Sequence, residues 1–265
     1  MVDGNIQDIA YRSSGTARPT VRPVTPEDVR DAFSDGMADW REEPVLGMAF
    51  GLVYAVLGAL IVLYLDTNSK VNLIVPALSA FLLIGPGIAL GLYEISRRLE
   101  TGEPLEFSAV LSAGMRHGGG QMALLGVTLL VVAVLWMAAA EFIHAAIFGA
   151  TEWTIGGLVT AIFSTWDGFR YAVIGTAVGA VFAAVTFALT VVAAPMLLDR
   201  NVDAATTVSA SVAAVRRSPL AFLVYGVLVT IIIAAGMAAF MIGLLVALPV
   251  VGFTTWHLYR RAITW

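Results

Sequence analysis

Glu141 and His144 are the residues whose types and spacing come nearest to a metal site. They form an E-x-x-H pair. In di-iron helical bundles such a pair occurs twice, and two further glutamates complete the site. This sequence has no second copy of the pair. We therefore interpret the two side chains as an interfacial carboxylate and imidazole that face water, and we predict no metal-binding residue.

His257, which follows Trp256, is the second candidate for a binding residue. It lies near the cytoplasmic end of the last predicted crossing, and histidine can be an axial ligand of haem. Haem between helices usually needs a second ligand at a matching depth. His144 is predicted on the opposite side of the membrane, and His117 lies in a predicted loop. The favoured interpretation is an interfacial Trp–His anchor, and no cofactor is predicted.

Catalytic groups are missing from the sequence pattern. The chain has no cysteine, which excludes disulfides, thiolate metal sites and cysteine nucleophiles. It has no glycine-rich phosphate loop and no nucleophile–base pair. The centres of the predicted membrane helices lack ionisable groups, which argues against an ion channel or a proton-coupled transporter. The deepest polar groups are hydroxyls, such as those of Tyr54 and Thr128, that can bond to carbonyls of their own helices. We predict that the protein is not an enzyme.

The composition predicts an integral membrane protein. Hydrophobic residues make up 59% of the chain and charged residues only 13%, against roughly 25% charged residues in soluble domains. The apolar runs are long and unbroken, which favours helices over the alternating strands of a barrel. The net charge of −4 is small and predicts no nucleic-acid partner.

The stretch 220–259 is the longest of these runs, with forty residues and no charged side chain. One crossing needs about 20 apolar residues, so this stretch predicts two crossings joined by a tight turn between Gly236 and Gly243. Pro86 predicts a kink in an earlier crossing, because proline interrupts the helical hydrogen bonds.

We predict an all-α polytopic protein with a disordered cytoplasmic tail, 1–24, and a single membrane domain, 25–265. The predicted crossings are 45–65, 71–93, 122–140, 171–198, 220–238 and 242–259. The predicted amphipathic surface helices are 26–40, 104–116, 152–168 and 203–217. The first, with Thr25 as its N-cap, is expected at the membrane surface or against neighbouring helices, and a re-entrant segment is the less favoured interpretation of 152–168.

Basic residues predict the orientation of the chain. With six crossings, 13 of the 15 Lys and Arg residues fall on the side of the two termini, and only Lys70 and Arg170 fall on the other. The positive-inside rule then predicts cytoplasmic termini. The residues predicted to bind lipid headgroups or to anchor the protein are Arg97, Arg98, Arg216, Arg217, Trp256, His257, Arg260 and Arg261.

An internal repeat is a further interpretation of the pattern. Amphipathic helix, crossing, crossing and basic residues follow one another three times. The tripeptide Leu-Val-Tyr at 52–54 recurs at 223–225. Three related units would explain this order, and the similar composition of apolar helices would explain it equally.

Gly175 and Gly179 form a small-xxx-small pair, which predicts close helix packing.

Three passages resemble a known family. They are GLYEISRRLE at 91–100, the segment around Met-Leu-Leu-Asp-Arg at 196–200, and Trp-His-Leu-Tyr-Arg at 256–260. They are similar to the domain-of-unknown-function family numbered 2189, whose members are described as predicted integral membrane proteins, and the resemblance runs from about residue 45 to the C-terminus. It implies a bacterial inner-membrane protein with a link to respiratory or photosynthetic membranes. Phe253 stands where relatives have a histidine, which weakens the case for a paired-histidine site.

These observations predict a non-catalytic protein that works through its surfaces. The expected role is an accessory, assembly or scaffold subunit of a larger membrane complex, and the expected partners are membrane lipids and other membrane protein subunits. The alternative is a permease for an uncharged or lipophilic solute, in which Pro86 and Pro195 act as helix hinges.

Overall fold

The computed structural model describes residues 19–83, 85, 89–113, 119–151, 153–239 and 241–265. These residues form helices and one two-stranded antiparallel sheet, made of β1 (Thr20–Val21) and β2 (Ile263–Thr264). The helices of the first part are α1 (Pro26–Glu42), α2 (Pro44–Thr67), α3 (Ile74–Leu83), α4 (Leu90–Thr101) and α5 (Phe107–Leu111). Those of the second part are α6 (Gly119–Phe148), α7 (Ile155–Ser164), α8 (Trp166–Thr190), α9 (Ala193–Asp199), α10 (Ala204–Arg217), α11 (Pro219–Ala238) and α12 (Leu244–Ala262).

Four helical segments in the described part of the chain are long and apolar enough to cross a membrane. They are α2, α6, the segment Trp166–Asp199 that contains α8 and α9, and α11. The predicted class, an all-α protein with several membrane-spanning helices, agrees with this structure.

The predicted second and sixth crossings, 71–93 and 242–259, have a different form. In the second, a 3-10 turn at Val71–Leu73 leads into α3, which is only 10 residues long, and α4 begins at Leu90. The sixth is covered by α12, whose C-terminal half carries hydroxyl, imidazole and guanidinium groups. Neither segment is therefore among the four candidate spans. The predicted kink at Pro86 lies outside the described residues.

Other boundaries differ from the sequence-based ones because turns and caps decide where a helix begins and ends. α6 continues to Phe148, eight residues beyond the predicted end of the third crossing. Thr154 caps α7 and Thr165 caps α8, so the predicted surface helix 152–168 is divided between two helices.

The remaining predicted surface helices, 104–116 and 203–217, have different outcomes. α5 has 5 residues, and part of its predicted range, 114–118, lies outside the described residues. α10 begins after the N-cap residue Asp203, whose carboxylate accepts a hydrogen bond from the amide of Thr206 at 2.8 Å.

Helix α12 lies at the centre of the fold and packs against α1, α2, α4 and α11. Phe253 and Trp256 are fully buried. Two glycines allow the close approach of its neighbours. A Cβ at Gly36 would lie 2.6 Å from the backbone nitrogen of Thr254, and one at Gly51 would lie 2.6 Å from Cα of Leu245. α1 and α2 therefore run antiparallel to α12 with their backbones close together.

The structure corrects the end of the predicted cytoplasmic tail and places the first amphipathic helix against its neighbours. Residues 19–24 belong to the fold: β1 pairs with β2, and the amide of Val24 donates to Oγ of Ser218 at 2.8 Å. α1 has the predicted cap at Thr25, and its buried face, Val29, Ala32 and Gly36, packs on α12, which agrees with the predicted alternative of contact with neighbouring helices. The physical reason is that the polar C-terminal half of α12 offers hydrogen-bonding partners to this charged helix. Residues 1–18 lie outside the described part.

The second half of the bundle forms around α6 and α8. Trp136 of α6 packs against Gly179 of α8, where an added Cβ would lie 3.0 Å from the indole ring. The short helix α9 is almost completely buried from Ala193 to Leu198. Gly175, the other member of the predicted small-xxx-small pair, has no atom within 4 Å of an added Cβ. Only one of the two glycines is therefore used for packing within the described chain.

Candidate functional site

A polar network occupies the end of the bundle where β1 and β2 pair, which we call the terminal end. At its centre Nε2 of His257 lies 2.8 Å from Oδ2 of Asp39, and Oγ of Ser96 donates to the same oxygen at 2.6 Å. Ser96 is fully buried. The hydroxyl and the imidazole share one carboxylate oxygen, and no hydrogen bond between Ser96 and His257 is found in the described part of the chain. The trio therefore lacks the nucleophile–base contact of a catalytic triad.

Four charged residues of α4 and the following turn form the second part of the network. Nε of Arg98 lies 2.6 Å from Glu94, and Nε of Arg97 lies 2.9 Å from the same carboxylate. Arg97 also pairs with Glu103 at 2.8 Å. The hydrogen bonds from Arg97 hold the pKa of Glu103 at about 2, well below its ordinary value, and these carboxylates raise the pKa of Arg97. Glu94 and Arg98 are both buried, so these two charges depend on each other for solvation.

Glu100 and Asp199 connect α4 and α9 to the end of α12. Glu100 accepts a hydrogen bond from Nε1 of Trp256 at 3.1 Å and lies 2.9 Å from Nη2 of Arg260. Asp199 accepts from the hydroxyl of Tyr259 at 2.8 Å and lies 3.6 Å from Nη1 of Arg260. Trp256 has 0% of its surface exposed. It is an interior residue that joins helices, which corrects the predicted interfacial anchor.

The predicted headgroup-binding residues fall into two groups. Arg97, Arg98, His257, Arg260 and Arg261 have carboxylate partners within the protein, the last through Asp35 at 2.7 Å. Arg216 and Arg217, at the C-terminus of α10, are exposed. Neither has an ion pair within the part of the chain that the structure describes. These two remain available to anionic groups outside the protein.

The opposite end of the bundle, which we call the turn end, brings Glu141 and His144 close to the turn that follows α2. Nδ2 of Asn72 donates to Glu141 at 2.9 Å, and the hydroxyl of Tyr171 donates to the carbonyl of Asn72 at 3.2 Å. His144 is 5% exposed and contacts the rings of Phe148 and Tyr171. Its predicted exposure to water is wrong, because α8 packs over it. Within the described residues no group of three His, Cys, Asp or Glu side chains could hold a metal ion.

Two buried tyrosines join helices through their hydroxyl groups. Tyr54 donates to the carbonyl of Gly85 at 2.6 Å, and Tyr225 donates to the carbonyl of Val251 at 3.2 Å. The sequence prediction for Tyr54, a bond within its own helix, is wrong because the phenol reaches beyond its own backbone. Thr128 does bond to a carbonyl of its own helix, that of Leu124.

Comparison with known proteins supports the family but adds no function. No curated protein matches the chain, and no solved structure matches it. A family model described as predicted integral membrane protein matches residues 74–199, just under half of the chain. The resemblance noted in the sequence is therefore found from α3 to α9, whereas the Trp-His-Leu-Tyr-Arg passage lies outside the matched range. Over residues 74–199 this chain is similar to the domain-of-unknown-function family numbered 2189.

Proposed function

We propose that this protein is a non-catalytic subunit that binds other membrane proteins through the outward faces of its spanning helices, in an accessory, assembly or scaffold role. The observation that carries the proposal is the exposure of these helices. Among the 18 consecutive residues that form the most apolar part of each helix, only 28% are buried inside the protein in α2, and only 22% in α6 and in α11. Most of the surface of these three helices is therefore free to contact lipid or other proteins, whereas 56% of the corresponding window of Trp166–Asp199 is buried.

Glycines on these outward faces favour protein over lipid as the neighbour. An added Cβ would meet no atom within 4 Å at Gly126 of α6 and at Gly175 of α8. Near Gly175, Ala177 and Ala180 are exposed as well. Small residues at a membrane-facing surface allow another helix to approach closely, and such positions are common in helix–helix interfaces.

The non-catalytic part of the proposal is supported by the polar network of the terminal end. Arg260 and Arg261 of α12 pair with carboxylates of neighbouring helices, so these groups hold the helix ends in one arrangement. Asp39 is shared by Ser96 and His257, which leaves Ser96 without a base. A rigid, internally paired end is well suited to present fixed helix faces to a partner.

We further propose a bacterial cytoplasmic membrane location, six crossings and cytoplasmic termini. The pairing of β1 with β2 supports termini on one side, since residues 20–21 and 263–264 are adjacent. The six crossings would form three pairs, in each of which the chain crosses the membrane and then returns. These pairs are α2 with α3 and α4, α6 with α8 and α9, and α11 with α12. The similar roles of Tyr54 and Tyr225, each bonded to a carbonyl of the returning segment, support a repeat that relates the first pair to the third.

The permease alternative receives less support. The cavity lined by Tyr54, Leu78, Met237 and Met241 has a volume of about 10 Å³, which is close to the smallest space that holds one water molecule. A solute path along these helices would require them to move apart.

Gentle extraction of a tagged chain from its native membranes, followed by quantitative mass spectrometry, tests the proposed function. We expect a membrane protein to co-purify in a fixed ratio with the parent and with Gly175→Ala, and to be lost from Gly175→Leu, whose bulk would block close approach. A lone monomer for the parent would contradict the proposal. So would a partner that Gly175→Leu and an equivalent leucine at Gly126 both retain.

A further inference from the structure

An apolar groove lies on the outside of the bundle between α2 and α3. It is lined by one face of α2 over residues 57–65 and by Ala77 and Phe81 of α3, and it has a volume of about 360 Å³. Binding sites for small molecules have volumes of about 300–1,000 Å³. Leu60 and Tyr64 on its rim are 53% and 65% exposed. The groove is therefore large enough for part of a flexible ligand and is open along its side.

The length of the groove argues for a lipid chain over a partner helix. Residues 57–65 span eight steps, which at 1.5 Å per residue amount to about 12 Å. Half of the hydrocarbon core of a bilayer is about 15 Å thick. A membrane-spanning partner helix would need a contact surface about twice as long. The groove matches the depth of one leaflet, which is the depth that one acyl chain occupies.

The groove ends at a turn that carries one charge of each sign. α2 ends at Thr67, and the amide of Lys70 donates to the carbonyl of Leu65, one of the lining residues, at 2.8 Å. Asp66 and Lys70 are both exposed. Among the described residues neither side chain forms an ion pair. This pair of charges at the polar end complements a headgroup that contains a phosphate and an ammonium.

We propose that this groove binds one acyl chain of a zwitterionic phospholipid, with its phosphate at Lys70 and its ammonium at Asp66. The lipid belongs to the leaflet on the turn-end side. Phe81 lines both the groove and the small cavity beside Tyr54, so the bound chain lies against the contact between α2 and α3. The proposal does not depend on the proposed function, because it concerns a lipid between α2 and α3, whereas the partner contact proposed above is tested at Gly126 and Gly175 of α6 and α8.

Reconstitution of the full chain in vesicles of equimolar phosphatidylethanolamine and phosphatidylglycerol tests the site. After gentle extraction, native mass spectrometry reports which lipid stays bound. We expect the parent to retain phosphatidylethanolamine, and Ala77→Trp, which fills the groove, to lose it. Ala59→Trp is the matched control, since Ala59 is exposed on α2 but does not line the groove. Lys70→Gln changes the same site outside the membrane core and should lose the preference for phosphatidylethanolamine over phosphatidylglycerol. This variant keeps the proposal testable if Ala77→Trp fails to fold.

Three results would overturn the proposal. The first is that the parent retains both lipids equally. The second is that Ala77→Trp folds and retains the lipid as well as Ala59→Trp does. The third is that Lys70→Gln keeps the parent's preference for phosphatidylethanolamine. Loss of a co-purifying protein, instead of a lipid, from Ala77→Trp would assign the groove to a protein partner and would also overturn it.

Discussion

Nε2 of His257 and Oδ2 of Asp39 lie 2.8 Å apart, although 218 residues separate them in the chain. Asp39 lies on α1, close to the N-terminus, and His257 lies on α12, close to the C-terminus. Their side chains are only 13% and 16% exposed. This contact joins the two ends of the chain at the terminal end, where Ser96 of α4 adds a third element.

Asp39→Ala should destabilise the protein, because it leaves the imidazole of His257 and the hydroxyl of Ser96 without their shared acceptor. A buried polar group without a partner costs about 1–3 kcal/mol. Unfolding in mixed micelles measures the change for Asp39→Ala, His257→Ala and the double variant. Glu42→Ala, at an exposed position of the same helix, is the control, with an expected effect within about 0.5 kcal/mol. Additive effects of the two single changes would show that the contact contributes nothing.

Gly51→Leu should disturb the packing of α2 on α12 strongly. An added Cβ already lies 2.6 Å from Cα of Leu245 and 2.8 Å from the carbonyl oxygen of Leu244, and backbone atoms cannot turn aside as a side chain can. Overpacking of this kind costs about 1–3 kcal/mol or more. Gly126→Leu is the matched control, since an added Cβ there meets open space. Equal melting temperatures for the two variants would contradict the close approach of the helices.

Gly175 and Gly179 should respond differently to leucine, although they form one small-xxx-small pair in the sequence. Gly179→Leu must displace the indole of Trp136, which would lie 3.0 Å from an added Cβ, and should lower the melting temperature of the monomer. Gly175→Leu should leave that temperature unchanged and should weaken association with a partner. Thermal melting and size-exclusion chromatography of both variants separate the two effects. A monomer destabilised as much by Gly175→Leu as by Gly179→Leu would argue against the open space at Gly175.

Single cysteines should report the proposed orientation, because the chain has none of its own. We expect an impermeant thiol reagent added to intact spheroplasts to label Ser69→Cys and Thr154→Cys, which lie at the turn end. Thr101→Cys, at the terminal end, should react only after the membrane is opened. All three positions are exposed, so burial does not limit the reaction. Labelling of Thr101→Cys in intact spheroplasts would show that the orientation is opposite to the proposed one.

The Arg97–Glu103 pair should contribute stability that depends on pH. The pKa of Glu103 is lowered to about 2 by hydrogen bonds from Arg97, so its contribution is fully present above about pH 4.5, the ordinary value, and is lost as the pH falls towards 2. The difference in melting temperature between the parent and Glu103→Gln should follow this course. We expect a small difference, since Glu103 lies at the surface and solvent weakens exposed ion pairs. A difference that disappears above pH 5 would contradict the lowered pKa.

The sequence by itself determined the class of the protein and several helix ends, because composition and capping act locally. Long runs without charge predict helices in a membrane whatever their neighbours are. Thr25 caps α1 as the pattern predicts, α10 begins close to the predicted start of the segment 203–217, and Pro219 begins α11. Each of these features needs only residues within a few positions of one another. The residue types in 220–259 likewise predicted a returning pair of helices, α11 and α12.

The tertiary structure decided how the polar residues of these helices are used. Arginines before and after a membrane helix have the same local pattern, but Arg260 meets Glu100 and Asp199, whereas Arg217 meets no carboxylate among the described residues. The difference depends on which helix faces come together over sequence separations of 61 to 160 residues. Trp256 is buried for the same reason, since α12 is surrounded by four other helices. A local pattern contains the chemical type of a side chain but not its neighbour, and the neighbour determines whether a charge binds a lipid or holds the bundle together.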